Sequence, residues 1–164
     1  MANRALFYDR RRHGLAQAAR EHEWLAVIML DMDGLKPIND TYGHRAGDAA
    51  IQATAGRLAT VARHSDTVAR LGGDEFALIL APLETQADAE VVAQRLRAVC
   101  NQPVAFEGQV LPTGVSLGIA IYPEDGLDPG GLVDKADQAM YATNRQRKAQ
   151  TTAGRDAQRE RLGS

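Results

Sequence analysis

The sequence predicts an α/β domain in which a mixed sheet of about five strands carries packed helices. Three observations point there. Apolar runs of strand length alternate with segments of helical period. The run "WLAVIML", Trp24 to Leu30, is unbroken, as a central strand covered on both faces requires. "ARLGGDEFALIL", residues 69 to 80, folds two short apolar runs about Gly72-Gly73, a pair suited to a hairpin turn with positive φ.

Each element follows from its own pattern. Leu6 to His22 is a first helix with Leu15, Ala18, Ala19 and His22 on one face and Gly14 weakening its middle. Trp24 to Leu30 is the central strand, stopping at Asp31. Ala46 to Arg63 is helical, since Ile51, Ala55, Leu58 and Ala62 recur on one stripe. Thr67 to Leu71 and Phe76 to Leu80 are the arms of the hairpin. Thr85 to Cys100 is a helix with Ala89, Val92, Leu96 and Val99 facing inward. Val110 to Tyr122 is extended, and its small alternates Ser116, Gly118 and Ala120 predict a strand pressed closely against a helix. Asp128-Pro129 caps a last helix running to about Asn144. Beyond it the apolar stripe disappears into a polar, basic tail.

Bulk composition narrows the function. The chain has 164 residues, 45% of them hydrophobic, enough for one domain with a real core. Nineteen basic against 21 acidic residues leave a formal charge of -2, which argues against nucleic acid as a partner. The single cysteine, Cys100, excludes an internal disulfide and fits a reducing compartment. No apolar run is long enough to span a bilayer and no signal peptide opens the chain, so the expectation is a cytoplasmic domain without direct membrane contact.

The chemistry concentrates where strands end. Asp31 closes the central strand, and Asp33-Gly34 turns the chain out. Asp74 and Glu75 sit where the hairpin turn meets its second strand. If the hairpin pairs beside the central strand, these carboxylates approach Asp31 and repel one another unless a cation neutralises them. Oxygen ligands without His or Cys favour Mg²⁺ or Mn²⁺, which commonly share their coordination with substrate phosphates. Gly34 and Leu35 offer turn amides to an anion and Lys36 a positive charge. Asn39 and Asp48 have the donors and acceptors to read a purine edge. Taken singly, Asp-x-Asp-Gly and Gly-Gly-Asp are ordinary turns, and Asp48 is a residue that favours a helix dipole. Their joint order at strand ends points to metal-assisted phosphoryl chemistry on a nucleoside triphosphate.

"RLGGDEF" preceded by "DMDGLKPINDTYGHRAGD" resembles the GGDEF family of diguanylate cyclase domains. The similarity runs from Asn3-Arg4 through "VSLGIAIYPEDG" to "ADQAMY". It implies a domain over residues 1–148, with its opening motif truncated, and a polar tail or linker over 149–164. It implies a palm-like nucleotidyl cyclase fold and condensation of two GTP into cyclic di-GMP by a homodimer, with release of two pyrophosphates. Such domains are normally fused to sensory or other signalling domains, and the membrane-associated proteins among them keep this part in the cytoplasm. The resemblance assigns Asp31, Asp74, Glu75 and the Met32 carbonyl to the metal. Asp74 and Glu75 take the catalytic roles, and Gly34, Leu35, Lys36, Gly72 and Gly73 contact substrate. Asn39 and Asp48 hold guanine.

"RHSD", Arg63 to Asp66, resembles the family's Arg-x-x-Asp site for inhibitory product. One stretch departs from the family. Where the last helix usually reads Tyr-x-Ala-Lys-x-x-Gly-Arg-Asn, this chain has "YATNRQRKAQ", so Asn144 takes the lysine position and Lys148 the arginine position. Fewer cations beside a triphosphate imply lower activity, or a module that binds GTP or cyclic di-GMP and regulates an attached domain.

Overall fold

The computed structural model describes residues 1–162, with side chains to residue 146. Helix α1 (Arg4–Glu21) starts where Asn3 accepts a hydrogen bond from the Leu6 amide at 2.9 Å, two residues before the predicted start. Strand β1 (Trp24–Asp33) carries the buried run onward through the acidic residues. Two helices follow, α2 (Leu35–Tyr42) and α3 (His44–Val61), joined at Gly43. Strands β2 (Thr67–Gly72) and β3 (Glu75–Leu83) form the hairpin, and α4 (Ala87–Cys100) crosses back. A small ribbon of β4 (Val104–Phe106) and β5 (Gln109–Leu111) precedes β6 (Gly114–Tyr122) and α5 (Pro129–Leu162).

The main sheet has four strands in the order β2-β3-β1-β6, and every neighbouring pair is antiparallel. The expectation of about five strands in a mixed sheet is corrected here. Residues 109 to 122 break at Pro112, so the extended stretch divides between the ribbon and the sheet. Parallel pairing among the described residues is confined to one bridge, Ala2 to Ala69. Strands β1 and β2 are both antiparallel to β3 and hence parallel to each other, as β3 and β6 are through β1; each crossover joins two parallel strands with a third between them, which leaves every neighbouring pair antiparallel.

The sheet is covered on both faces. Ala26, Ile28, Leu30 and Met32 point toward α2, α3 and α4, while Leu25, Val27 and Met29 point toward α1 and α5. This is why β1 reads as an unbroken apolar run. At Gly118 on β6 an added Cβ would run into the Ala136 carbonyl oxygen and the Met140 nitrogen of α5, so backbone lies on backbone as the small alternates predict. Asp128 caps α5 by accepting from the Gly131 amide at 2.9 Å. The helix continues to Leu162, well past the predicted end near Asn144. Among the described residues, no helix is long and apolar enough to cross a membrane.

Candidate active site

Strand register builds the site. Asp31 is paired with Glu75 across β1 and β3, and with Ser116 across β1 and β6. Residues opposite each other in a ladder share a face, so a polar row crosses three strands on the α1–α5 side. The apolar rows below it are Met29 with Ala77, and Val27 with Ile79 and Ala120. The hairpin is fastened beside β1 by the Met32 amide, which donates to the Asp74 carbonyl at 3.1 Å. Gly73, at φ +47°, makes the turn, and its carbonyl accepts from Arg70 Nε at 3.0 Å and Nη2 at 2.8 Å. Arg4 Nη2 donates to the Leu71 carbonyl at 3.3 Å from the α1 side.

These contacts bring Asp31, Asp74 and Glu75 into one neighbourhood, and their electrostatics record it. Burial pushes the Asp31 carboxyl up to about 7, helped by the Asp74 charge, a hydrogen bond with the Asp74 side chain, and the charges of Asp33 and Glu75. Asp31 Oδ1 is buried with no hydrogen-bond partner. Glu75 is also raised, first by burial, then by Asp137 on α5 and by Asp74, with Arg4 pulling the other way. Among the described residues no three His, Cys, Asp or Glu side chains form a ready-made metal group. An orphaned carboxylate oxygen among repelling acids nevertheless has the chemistry a hard cation satisfies.

The neighbouring residues come from α2 and α3. Gly34, at φ +76°, turns β1 into α2, so the amides of Leu35 and Lys36 lie in the first turn, where helix N–H groups lack internal partners. Gly34 and Lys36 are exposed and Leu35 is half-buried. Asn39 on α2 lies against Gly47 on α3, where an added Cβ would run into Asn39 Oδ1. That glycine was not singled out from sequence; it lets Asn39 nest beside exposed Asp48. Thr143 on α5 donates to the carbonyls of Ala139 at 3.0 Å and Leu117 at 3.4 Å, and Asn144 is half-buried beside it. The side chain of Lys148 lies outside the described residues.

Arg63 and Asp66 are elsewhere. They flank the start of β2, whereas Asp74 lies past its other end, roughly 20 Å along a six-residue strand. The Asp66 side chain is 1% exposed. It accepts from the Arg63 amide at 2.8 Å, from Arg63 Nη2 at 3.0 Å and from the Ala81 amide at 3.4 Å. Arg63 Nη2 also donates to the Pro82 carbonyl at 2.9 Å. A cavity of about 360 Å³ opens beside this pair, lined by Arg10, His13, Gln17, His64 and Ser65 among others.

The family model described as "Diguanylate cyclase, GGDEF domain" matches residues 1–150. The chain belongs to the GGDEF family. Diguanylate cyclase TpbB of Pseudomonas aeruginosa is 44% identical over 147 residues, covering 89% of this GGDEF chain and 34% of TpbB. MucR from the same species, a bifunctional diguanylate cyclase and cyclic di-GMP phosphodiesterase, is 40% identical over 86% of this chain and 20% of its own length. The chain thus spans about a third or less of these relatives. The crystal structure of the TpbB GGDEF domain superposes with a TM-score of 0.86, covering 89% of this chain and 91% of that one. The palm-like fold expected from the sequence is therefore present.

Proposed function

We propose that this GGDEF domain is a diguanylate cyclase unit, joining two GTP molecules into cyclic di-GMP with loss of two pyrophosphates. The observation that carries the reading is Asp31, half-buried, with one buried oxygen lacking a partner, and raised to about 7 by burial and by the neighbouring Asp74, Asp33 and Glu75. Carboxylates in that state are poised for a cation and for phosphate charge, and strain one another without them. The sequence relationship to TpbB, named a diguanylate cyclase, supports the same chemistry.

In this reading Asp31, Asp74, Glu75 and the Met32 carbonyl hold Mg²⁺ or Mn²⁺. That ion supplies neutralisation of the triphosphate and polarisation of its phosphorus. Gly34, Leu35 and Lys36 meet the phosphates, with Gly72 and Gly73 across the hairpin, and Lys148 adds a cation from α5. Asn39 and Asp48 hold guanine. Asp74 accepts the proton of the 3′-hydroxyl as its oxygen bonds to the α-phosphorus of the second GTP. The bond from that phosphorus to pyrophosphate breaks. Repeating the transfer closes the ring. Positioning and charge neutralisation supply most of the acceleration in such reactions.

Because each domain holds one GTP, the active unit is a homodimer. Arg63 and Asp66 form the site through which product inhibits. Residues 1–148 make up the catalytic domain, and 149–164 connect it to other parts of a cytoplasmic signalling protein. A second reading, a nucleotide-binding module of low or no activity that regulates an attached domain, is favoured by Asn144 at the position where the family carries lysine.

The deciding experiment incubates concentrated protein with GTP and Mg²⁺ or Mn²⁺ and assays cyclic di-GMP. Product that disappears with Asp74→Ala supports the enzyme. Binding of GTP or cyclic di-GMP without turnover supports the module.

A further inference from the structure

The β6 strand carries a polar residue that no role above uses. Ser116 is fully buried, and its hydroxyl donates to Asp33 Oδ1 at 2.8 Å with Oδ2 at 3.1 Å. In the ladder Ser116 stands opposite Asp31, yet its proton reaches diagonally to Asp33. A hydroxyl has one proton to give, and a bond to a carboxylate is among the stronger neutral-donor contacts.

Asp33 ends β1, paired with Gly114, and the next residue is Gly34 at φ +76°. Outside its chain neighbours nothing lies within 4 Å of where a Gly34 Cβ would be, so the turn is unpacked at that point and Leu35 is the next residue to reach the core. Glycine also brings the largest backbone freedom of any residue. The Asp33 carboxylate, gripped from the neighbouring strand, is the anchor immediately before that loose point. A cavity of about 410 Å³ borders the same turn, lined by Asp33, Gly34, Pro37 and Gly114 among others, so one side of the turn is open.

We propose that Ser116 is a positioning residue: through Asp33 it fixes the β1–α2 turn, and with it the Gly34–Lys36 segment that receives the substrate phosphates. The second half rests on the proposed function; the first does not. If the hydroxyl served only its own burial, its removal would leave the turn as ordered as before.

The test is Ser116→Ala, compared with Asp33→Ala and the double variant. Exchange of the Ile38 amide, which donates to the Gly34 carbonyl at 3.1 Å and closes the turn, rises about tenfold in Ser116→Ala while residues 76–78 of β3 keep their rates, as expected for loss of one charge-assisted bond. Affinity for GTP falls about tenfold and affinity for guanosine, which has no phosphates, changes less than about twofold. The double variant is no worse than the poorer single, because the two side chains act as one unit. Unchanged exchange at Ile38, a rise spread evenly over the hairpin, or equal losses for GTP and guanosine overturn the proposal. A wild-type protein that binds no GTP overturns the proposed function instead, and the exchange comparison still decides Ser116.

Discussion

Asp31 and Glu75 face each other across β1 and β3, two carboxylates paired on the side of the sheet that α1 and α5 cover. Opposed like charges destabilise a strand pair, so the chain accepts a local cost at this one rung. Neutralising either acid removes a cation ligand and a source of repulsion together. Asp31→Asn or Glu75→Gln is expected to lower cyclic di-GMP synthesis by about 100-fold or more, without loss of the folded state. Steady-state turnover measured beside far-ultraviolet circular dichroism checks both halves.

The same acids set a pH dependence. Asp31 titrates at about 7 in the folded chain and near the ordinary aspartate value of about 4 when unfolded. Its folded pKa is raised, so the stability from its neutral form is complete below the unfolded value. That stability is lost as pH rises through 7. The melting temperature of nucleotide-free, metal-free protein should therefore fall between pH 5.5 and 8. Asp31→Asn should flatten that slope and melt above wild type at pH 8. An undiminished slope in the variant would assign the dependence to other groups.

Asn144 offers a gain rather than a loss. It is half-buried on α5, one residue beyond Thr143, which is tied to β6. Asn144→Lys places an ammonium where the family carries one, and is expected to raise kcat/KM for GTP by about three- to tenfold. Initial rates over a GTP series at fixed Mg²⁺ would show it.

Arg63 and Asp66 predict unequal costs. Removing the buried Asp66 carboxylate strips an acceptor from the Arg63 and Ala81 amides at once, so Asp66→Ala should destabilise the domain by about 1–3 kcal/mol. Arg63→Ala leaves those amides satisfied and should cost less, since its side chain is half exposed. Both variants should weaken inhibition by added cyclic di-GMP. Urea melts and product-inhibition curves separate the two effects.

Gly118→Ala tests the packing beneath the site. Its Cβ would meet main-chain atoms of α5, which cannot rotate aside as a side chain can. A loss of about 3 kcal/mol or more in chemical denaturation is expected.

The frame of this domain was readable in its sequence because periodicity and burial agree. Trp24 to Leu30 is apolar on both faces and is buried on both, and the small alternates of β6 foretold the contact at Gly118. The eight-residue α2 was not readable. Asn39, Asp40 and Thr41 favour turns, and the helix exists because Ile38 is buried in the core beneath α3. Strand order was equally hidden: β3 lies between β1 and β2, and β1 lies between β3 and β6, so strands joined by a crossover are never neighbours. In the site, Asp31, Asp74 and Glu75 stood out as charges at strand ends. Asp33 and Ser116 did not, because their partnership spans 83 positions and only the strand register creates it. Two-residue periodicity from Asp31 places Asp33 on the same face, a signal available in the sequence.

The glycine on β6 also bears on how the domain can change over generations. Where a helix rests on side chains, each substitution nudges its seat. At Gly118 α5 rests on a peptide group instead, while Leu132, Ala136 and Met140 seat the rest of it on side chains. A codon change at Gly118 would therefore shift the helix relative to the acidic rung, whereas the apolar contacts around it can adjust by rotamer.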